Sequence, residues 1–303
     1  NSPPMRAIYA TIDRFAGTDL PVLITGETGT GTELVARAIH AQSRRAAKPF
    51  VALNCAAIPA SLVQSELFGN TRGAFTGAST SNAGLIRTAE GGVLLLDEIG
   101  EMTLEAQASL LRFLEDKNVT PVGGRQSVTV DVTVIASTNR DLHEQVHRGL
   151  FRQDLLYRLD MLSIKMPALR ERPSDIAALA EHFLEAAADA LPHRVHGLTD
   201  DAIDWLRAQP WPGNIRELRN CVIQAGLRCS HGLITADDLR ELRPMSVTPE
   251  QPSLNEVVQA TEKAALEQRL KRNRGNVSKT ARELKVSRMT LYRLMAKHNI
   301  GRA

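Results

Sequence analysis

Residues 20–33 read Leu-Pro-Val-Leu-Ile-Thr-Gly-Glu-Thr-Gly-Thr-Gly-Thr-Glu, a short apolar run that leads directly into a glycine-rich loop. The run predicts a buried β-strand, and residues 34–41 place apolar side chains at helical spacing. Strand, glycine loop and helix in this order are typical of a phosphate-binding loop, in which backbone N–H groups surround the phosphates of a nucleotide. The eight loop residues predicted to bind a nucleotide are Gly26, Glu27, Thr28, Gly29, Thr30, Gly31, Thr32 and Glu33.

The loop departs from the pattern G-x-x-x-x-G-K-[ST] because Thr32 stands where the lysine is usual. That lysine reaches the β- and γ-phosphates, whereas threonine is shorter and uncharged. We therefore expect weakened nucleotide binding and strongly reduced hydrolysis.

The remainder of the N-terminal half alternates apolar runs with helical patterns. The runs at Phe50–Leu53, Gly92–Glu98 and Val130–Ser137 have the character of parallel strands that are covered on both faces. Such alternation predicts a layered α/β fold with a parallel sheet. After about residue 167 only helical patterns follow. We predict four segments: an α/β nucleotide-binding subdomain over 1–170, a small all-helical domain over 171–243, a linker over 244–252 and a final helical unit over 253–303.

Composition is that of an ordinary globular protein. Of the 303 residues, 43% are hydrophobic and 23% charged, and the three cysteines have no metal-binding or redox spacing. No apolar run approaches the roughly 20 residues that a membrane-spanning helix needs. No signal peptide is visible. These observations predict a cytoplasmic protein with no membrane partner.

Positive charge is concentrated at the C-terminus. Residues 269–303 contain eleven Lys or Arg and one Glu, so with a total net charge of +3 the preceding 268 residues carry −7. A basic tail on an acidic body is typical of a nucleic-acid-binding appendage. Residues 276–284 and 288–297 predict two helices around a short turn, the pattern of a helix-turn-helix whose second helix enters the major groove. The residues predicted to contact DNA are Arg288, Thr290, Tyr292 and Arg293, each to a base or only to a phosphate; the alternative is a plain helical hairpin.

Asp97 and Glu98 end the most apolar strand of the sequence. Carboxylates at the carboxyl edge of a parallel sheet face the ligand site of such folds. Together with a phosphate-binding loop about 70 residues upstream, they predict that Asp97 holds Mg²⁺ and that Glu98 orients or deprotonates the attacking water. The alternative is an acidic pair in an ordinary turn after a strand.

With these motifs, the chain resembles the AAA+ enhancer-binding proteins that activate bacterial sigma-54 RNA polymerase. The most specific motif is the hexapeptide Gly-Ala-Phe-Thr-Gly-Ala at 73–78, which follows Glu-Leu-Phe-Gly at 66–69. The resemblance implies an AAA+ P-loop fold with a three-layer parallel sheet, a small helical lid over residues 171–243 and a Fis-type helix-turn-helix DNA-binding domain over residues 253–303. It also implies that the hexapeptide contacts sigma-54; a buried loop phenylalanine is the alternative. The implied contact residues are Gly73, Ala74, Phe75, Thr76, Gly77 and Ala78.

The resemblance implies further roles around the nucleotide. Asn139 would sense the γ-phosphate, and Arg216 of the lid would face the phosphates. Asn54 would restrain the catalytic glutamate. Arg152 and Arg158 would reach the nucleotide of a neighbouring subunit, where an arginine stabilises charge in the transition state. Each of these residues also has a structural alternative. Arg152 or Arg158 could instead pair with a carboxylate within the ring interface. Arg216 could be an ordinary arginine at a helix start, and Asn54 could be a core asparagine.

Three explanations of Thr32 remain open: a laboratory substitution that silences an ATPase, a natural regulator that senses nucleotide or only binds DNA, and a working ATPase with a compensating cation elsewhere.

By the same resemblance, the cofactors are ATP or ADP and Mg²⁺. The partners are double-stranded DNA at upstream enhancer sites, sigma-54 RNA polymerase and further copies of the chain, as a dimer through the DNA-binding end and as a hexamer or similar ring through the AAA+ part. Family members usually carry an N-terminal sensing domain and belong to two-component systems. The chain is therefore expected to be either truncated or a member without a sensor.

Overall fold

The chain divides into two units, Asn1–Pro244 and Met245–Ala303. The computed structural model describes residues 2–74, 80–191, 195–229, 232–242, 273, 277–283 and 288–297. The α/β layers and the lid both belong to the first unit, so the nucleotide site predicted above lies within one unit.

The described part of the first unit contains nine strands. In chain order they are β1 (Val22–Thr25), β2 (Phe50–Asn54), β3 (Val93–Asp97), β4 (Asn118–Val119), β5 (Val128–Thr129), β6 (Thr133–Thr138), β7 (Leu162–Lys165), β8 (Gly197–Leu198) and β9 (Leu233–Ile234). Five of them form a parallel sheet in the order β2-β3-β6-β1-β7. β4 and β5 form an antiparallel hairpin, and β8 pairs with β9 in the lid.

In chain order, the described α-helices are α1 (Pro3–Phe15), α2 (Thr32–Gln42), α3 (Ala60–Phe68), α4 (Leu85–Thr88), α5 (Leu104–Asp116), α6 (Leu142–His147), α7 (Gln153–Leu159), α8 (Ile176–Ala187), α9 (Asp200–Arg207), α10 (Asn214–Arg228), α11 (Ala236–Glu241), α12 (Val277–Glu283) and α13 (Arg288–Lys297). Those of the first unit, α1 to α11, surround this sheet and build the lid, and α12 and α13 belong to the second unit. Thr103 begins α5 with a side-chain cap, since its hydroxyl accepts from the Ala106 N–H.

The sheet is buried on both faces, which explains the apolar character of its strands. Leu94, Leu95 and Leu96 of β3 are fully buried, and they divide between two separate apolar clusters. Because side chains alternate along a strand, this division places one cluster on each face of the sheet. The α/β fold predicted from the sequence is therefore confirmed, and the parallel direction brings the ends of β1, β3 and β6 to one edge.

Three strand features differ from the sequence expectation, and the first is the β4–β5 hairpin, which was not predicted. The fifth sheet strand, β7, was not predicted; it lies at the edge of the sheet and is only four residues long. The lid, expected to be all-helical, also contains the short β8–β9 pair. Its core nevertheless comes from helices that surround Trp211, whose indole N–H donates to the Leu206 carbonyl at 2.7 Å.

The described part of the second unit contains α12 and α13. Ala281, Leu291 and Met295 are buried, as expected for two helices that contact each other. The turn at 284–287 lies outside the described residues. Within the described residues, no helix is long and apolar enough to cross a bilayer.

Candidate functional site

The glycine loop lies between β1 and α2, and several of its backbone N–H groups have no hydrogen-bond acceptor among the described residues. Gly29 and Gly31 adopt φ angles of 81° and 100°, which side chains rarely tolerate. Within the described residues, the backbone N–H groups of Gly29, Gly31 and Thr32 donate to no protein acceptor. Free N–H groups at the start of a helix form a favourable anion site. The loop thus fits a nucleotide phosphate group.

Asp97 is held at the carboxyl edge of the sheet by two hydrogen bonds. Ser137 Oγ donates to its Oδ1 at 2.7 Å, and Asn54 Nδ2 donates to its Oδ2 at 3.1 Å. The Asn54 contact follows from the β2–β3 register, which places these two residues opposite each other. A carboxylate has lone pairs for more than two bonds, so Asp97 remains able to bind a cation.

Magnesium fits Asp97 only together with a phosphate. Among the residues that the structure describes, no group of three or more His, Cys, Asp or Glu side chains could hold a metal ion. Mg²⁺ at nucleotide sites usually takes one or two carboxylates, substrate phosphates and water. The single well-oriented carboxylate is consistent with that mode.

Glu98 lies beside Asp97 in a left-handed conformation with φ of 54°. Burial raises the pKa of its carboxyl, and the negative charge of Asp97 raises it further, although the hydrogen bond from the Asn139 N–H opposes this. That bond measures 3.3 Å at Oε2. A raised pKa favours a general base near neutral pH. Asn54, expected to restrain this glutamate, is instead bonded to Asp97.

Asn139 connects the sheet to the phosphate loop. Its Nδ2 donates to Thr28 Oγ1 at 2.7 Å, while its backbone N–H contacts Glu98. One residue at the end of β6 therefore contacts both the loop and the acidic pair. This placement is compatible with the γ-phosphate sensor that the sequence predicts.

A clamp that the sequence did not indicate joins the loop to the lid. Arg170 donates two hydrogen bonds to Glu27, at 2.8 and 2.5 Å, and Asn214 Nδ2 donates to the same carboxylate at 3.2 Å. These contacts, led by the Arg170 hydrogen bonds, lower the pKa of Glu27 to about 2. Behind them, the Ile215 N–H donates to the Gly29 carbonyl at 2.9 Å. We call Glu27, Arg170, Asn214 and Ile215 the lid clamp.

The loop and the lid enclose a cavity of about 510 Å³. We call it the loop–lid cavity. Thr32 and Asp97 line it from the α/β subdomain. Arg216, the arginine predicted to face the phosphates, lines it from the lid. The residues that line it are Gly29, Gly31, Thr32, Glu33, Leu34, Asp97, His182, Phe183, Ala186, Ile215, Arg216, Arg219 and Asn220.

The two predicted arginine fingers lie exposed at the ends of α7. Arg152 forms a double hydrogen bond with Asp154, at 3.0 and 2.6 Å. Arg158 donates to the Leu114 carbonyl at 3.1 Å. Both contacts are on the surface of one chain, so the trans role stays a prediction.

The two chain segments that flank the predicted sigma-54 loop, residues 73–78, are hydrogen-bonded to each other. Asn70 and Asn82 exchange two backbone hydrogen bonds of 3.0 Å, and the Thr71 N–H donates to the Val122 carbonyl of the β4–β5 hairpin at 3.0 Å. Gly73 has open space around it and a φ of 80°. Phe75, Thr76, Gly77 and Ala78 lie outside the described residues.

The predicted DNA-contact residues belong to α13. Arg288 is exposed at its first position, Met289 beside it is 79% exposed, and Thr290 is partly buried. The side chains of Tyr292 and Arg293 lie outside the described residues.

Comparison with protein families finds three matches along the chain. A sigma-54 interaction domain matches residues 1–165, an AAA+ ATPase lid domain matches 170–253, and a bacterial regulatory protein domain of the Fis family matches 258–298. The first match alone covers more than half of the chain.

Whole-protein relatives give the same picture. The regulatory protein AtoC of Escherichia coli is 42% identical over 100% of this chain and 68% of its own length. The DNA-binding transcriptional regulator NtrC of Azospirillum brasilense is 47% identical over 83% of this chain and 53% of its length, and the transcriptional regulatory protein ZraR of Klebsiella oxytoca is 45% identical over 96% and 66%. The chain thus spans between 53% and 68% of these relatives.

Solved structures of NtrX from Brucella abortus are also similar to this chain. The complexes with ATP and with ADP superpose with TM-scores of 0.72 and 0.73, at 36% sequence identity. Each covers 99% of this chain, which spans 68% of theirs.

Proposed function

Because the chain belongs to the family of bacterial sigma-54-dependent enhancer-binding activators, we propose that it is a DNA-binding transcription regulator whose AAA+ part acts on sigma-54 RNA polymerase. Residues 253–303 bind upstream DNA, where Arg288 and its neighbours on α13 contact the duplex. The 73–78 loop contacts sigma-54, and its base is anchored on the β4–β5 hairpin.

The nucleotide is ATP or ADP, bound in the loop–lid cavity. The observation that carries this proposal is the set of unused N–H donors at Gly29, Gly31 and Thr32, opposite Asp97. The similar protein NtrX of Brucella abortus has been solved in complex with ATP and with ADP, which supports this proposal. Asp97 would hold Mg²⁺, and Glu98 would accept the proton of the attacking water.

Hydrolysis by this chain is slow, because Thr32 places a neutral hydroxyl where a phosphate-loop lysine would place a charge. Phosphoryl transfer depends on positioned positive charge around the transferred group. Removing one preorganised donor from such a site typically costs about 3 kcal/mol, or on the order of 10²-fold in rate. ATP binding is weakened less than hydrolysis, because the backbone N–H donors of the loop and the Arg216 side chain remain available to the phosphates.

Catalysis also requires a ring. Arg152 and Arg158 are both exposed; Arg152 directly precedes α7, and Arg158 lies in its last turn. An arginine presented to a neighbour's nucleotide implies head-to-tail contacts between copies, which close into a ring such as a hexamer. The surface pair Arg152–Asp154 is weak enough to exchange for a phosphate contact on assembly.

The alternative function is a regulator that binds nucleotide, or DNA alone, without hydrolysis. It is favoured by the same residue, Thr32, and it predicts that restoring a lysine changes binding but not turnover.

The test compares ATP turnover by the unaltered chain, Thr32→Lys and Thr32→Gln, at concentrations where the chain is assembled. We expect Thr32→Lys to raise turnover about 10²-fold, whereas Thr32→Gln, which restores length without charge, stays near the unaltered chain. Turnover by the unaltered chain close to that of Thr32→Lys refutes the impairment. No gain in Thr32→Lys, with ATP binding retained, supports the non-hydrolysing regulator.

A further inference from the structure

The loop–lid cavity contains a second lid arginine, Arg219, in addition to Arg216. Both belong to α10, three residues apart, and residues at this spacing are neighbours on a helix surface. Contacts at the start of α10 fix its position against the loop. A Cβ at Gly29 would lie 3.2 Å from the Arg216 Cβ, so this helix begins in contact with the phosphate loop. Arg219 follows one turn further along the same cavity wall.

Most other arginines near the loop are already paired with carboxylates. Arg37 pairs with Glu33 at 2.7 Å, and Arg170 pairs with Glu27 in the lid clamp. Across the described residues, by contrast, the side chains of Arg216 and Arg219 form no hydrogen bond and no ion pair. Both arginines are exposed to the cavity. These two guanidinium groups are therefore available to an anionic ligand.

The acidic groups around the cavity do not neutralise them. Glu33 is bonded to Arg37, and Glu217 of α10 is turned back to accept the Gly213 N–H at 2.8 Å. Asp97 is bonded to Ser137 and is the residue assigned to Mg²⁺. The lid wall of the cavity thus keeps a net positive charge, opposite a loop that has lost its own cation at Thr32.

We propose that Arg219 is a phosphate-contacting residue of the nucleotide site and that, together with Arg216, it replaces the missing loop lysine in binding. A guanidinium group makes strong, often bidentate, hydrogen bonds to phosphate. The cation that normally belongs to the body is supplied by the lid, so nucleotide affinity depends on the lid being closed. This inference rests on the proposed nucleotide site and identifies which residue retains affinity there.

The test measures the dissociation constant of Mg²⁺-ATP by calorimetry in the unaltered chain, Arg219→Gln, Thr32→Lys and the double variant. We expect Arg219→Gln to weaken binding about tenfold when Thr32 is present, the size of one charge-assisted hydrogen bond. When Lys replaces Thr32, the same substitution should cost less than about twofold, because the loop again supplies the charge. Arg219→Lys should recover part of the affinity, since it keeps the positive charge.

The matched control is Arg228→Gln, on the same helix but outside the cavity, which should leave ATP affinity unchanged. An equal loss from Arg219→Gln with Thr32 and with Lys at this position overturns the proposal, as does no loss in either. If the unaltered chain binds no ATP, the nucleotide site itself fails. If it binds ATP and Arg219→Gln binds equally well, only the role of Arg219 fails.

Discussion

Gly29→Ala should separate the lid from the phosphate loop. Gly29 has a φ of 81°, and a Cβ built there would lie 2.4 Å from the Gly213 carbonyl oxygen. Ordinary contacts begin at 3.4 Å, so the start of α10 would have to move by about 1 Å. Such a movement would disrupt the 2.9 Å bond from Ile215 to Gly29 and the 3.1 Å bond from Asn214 to the Thr28 carbonyl.

Two effects lower the free energy of unfolding in Gly29→Ala. A left-handed conformation costs a non-glycine residue about 1–2 kcal/mol, and losing two hydrogen bonds costs about 1 kcal/mol each. The total is about 3–4 kcal/mol. For a unit of this size, each kcal/mol lowers Tm by about 2–4 °C, so a decrease of roughly 6–16 °C is expected.

Thermal unfolding followed by circular dichroism measures this decrease, and Gly149→Ala is the matched control. Gly149 has a similar φ of 69° but no atom within 4 Å of the added Cβ. It should therefore show only the conformational part, about 1–2 kcal/mol. Equal decreases in Tm for Gly29→Ala and Gly149→Ala would refute the argument that the loop and the lid touch at Gly29.

Three further predictions concern charge. The ATP turnover of Thr32→Lys should fall on acidification at a pH above 4.5, the ordinary pKa of a glutamate. Burial raises the pKa of Glu98, and the protonated carboxyl cannot act as a base. A pH–rate profile in which turnover falls only at or below pH 4.5 contradicts this. Glu27→Gln should lower Tm by about 2–4 °C at pH 7, since its pair with Arg170 is half exposed and is worth about 1 kcal/mol after screening. The lowered pKa of Glu27 stabilises the fold above pH 4.5, so this difference should shrink as pH falls from 4.5 towards 2; a constant difference excludes the clamp. Arg288→Ala should weaken duplex binding and reduce the slope of log affinity against log salt by about 1 if it contacts a phosphate, as fluorescence anisotropy would show; an unchanged affinity removes it from the interface.

The sequence predicted the parts of the site that depend on local patterns. Asp97 and Glu98 follow an apolar run, and apolar runs identify buried parallel strands. The strand β7 was missed because it is a half-exposed edge strand of four residues, Leu-Ser-Ile-Lys, too short for its alternation to be recognised.

Contacts between distant segments had no local signal at all. Glu27 and Arg170 are separated by 143 positions, and nothing in either segment indicates the other. The partner of Asn54 was likewise set by strand register, which the hydrophobic pattern of a strand buried on both faces does not specify. Long-range pairing therefore had to come from the structure.

The lid clamp and a bound phosphate would use different groups of the phosphate loop: the clamp uses acceptor oxygens, and the phosphate would use N–H donors. Among the contacts of the described residues, the lid donates and the loop accepts: Ile215 and Asn214 donate to the Gly29 and Thr28 carbonyls, and Arg170 donates to the Glu27 carboxylate. The N–H groups of Gly29, Gly31 and Thr32 donate to no acceptor among the described residues, so they stay available to an anion. Nucleotide binding therefore need not open the clamp. Because position 32 takes no part in these contacts, Thr32 should alter the charge offered to the phosphates without altering how the lid closes.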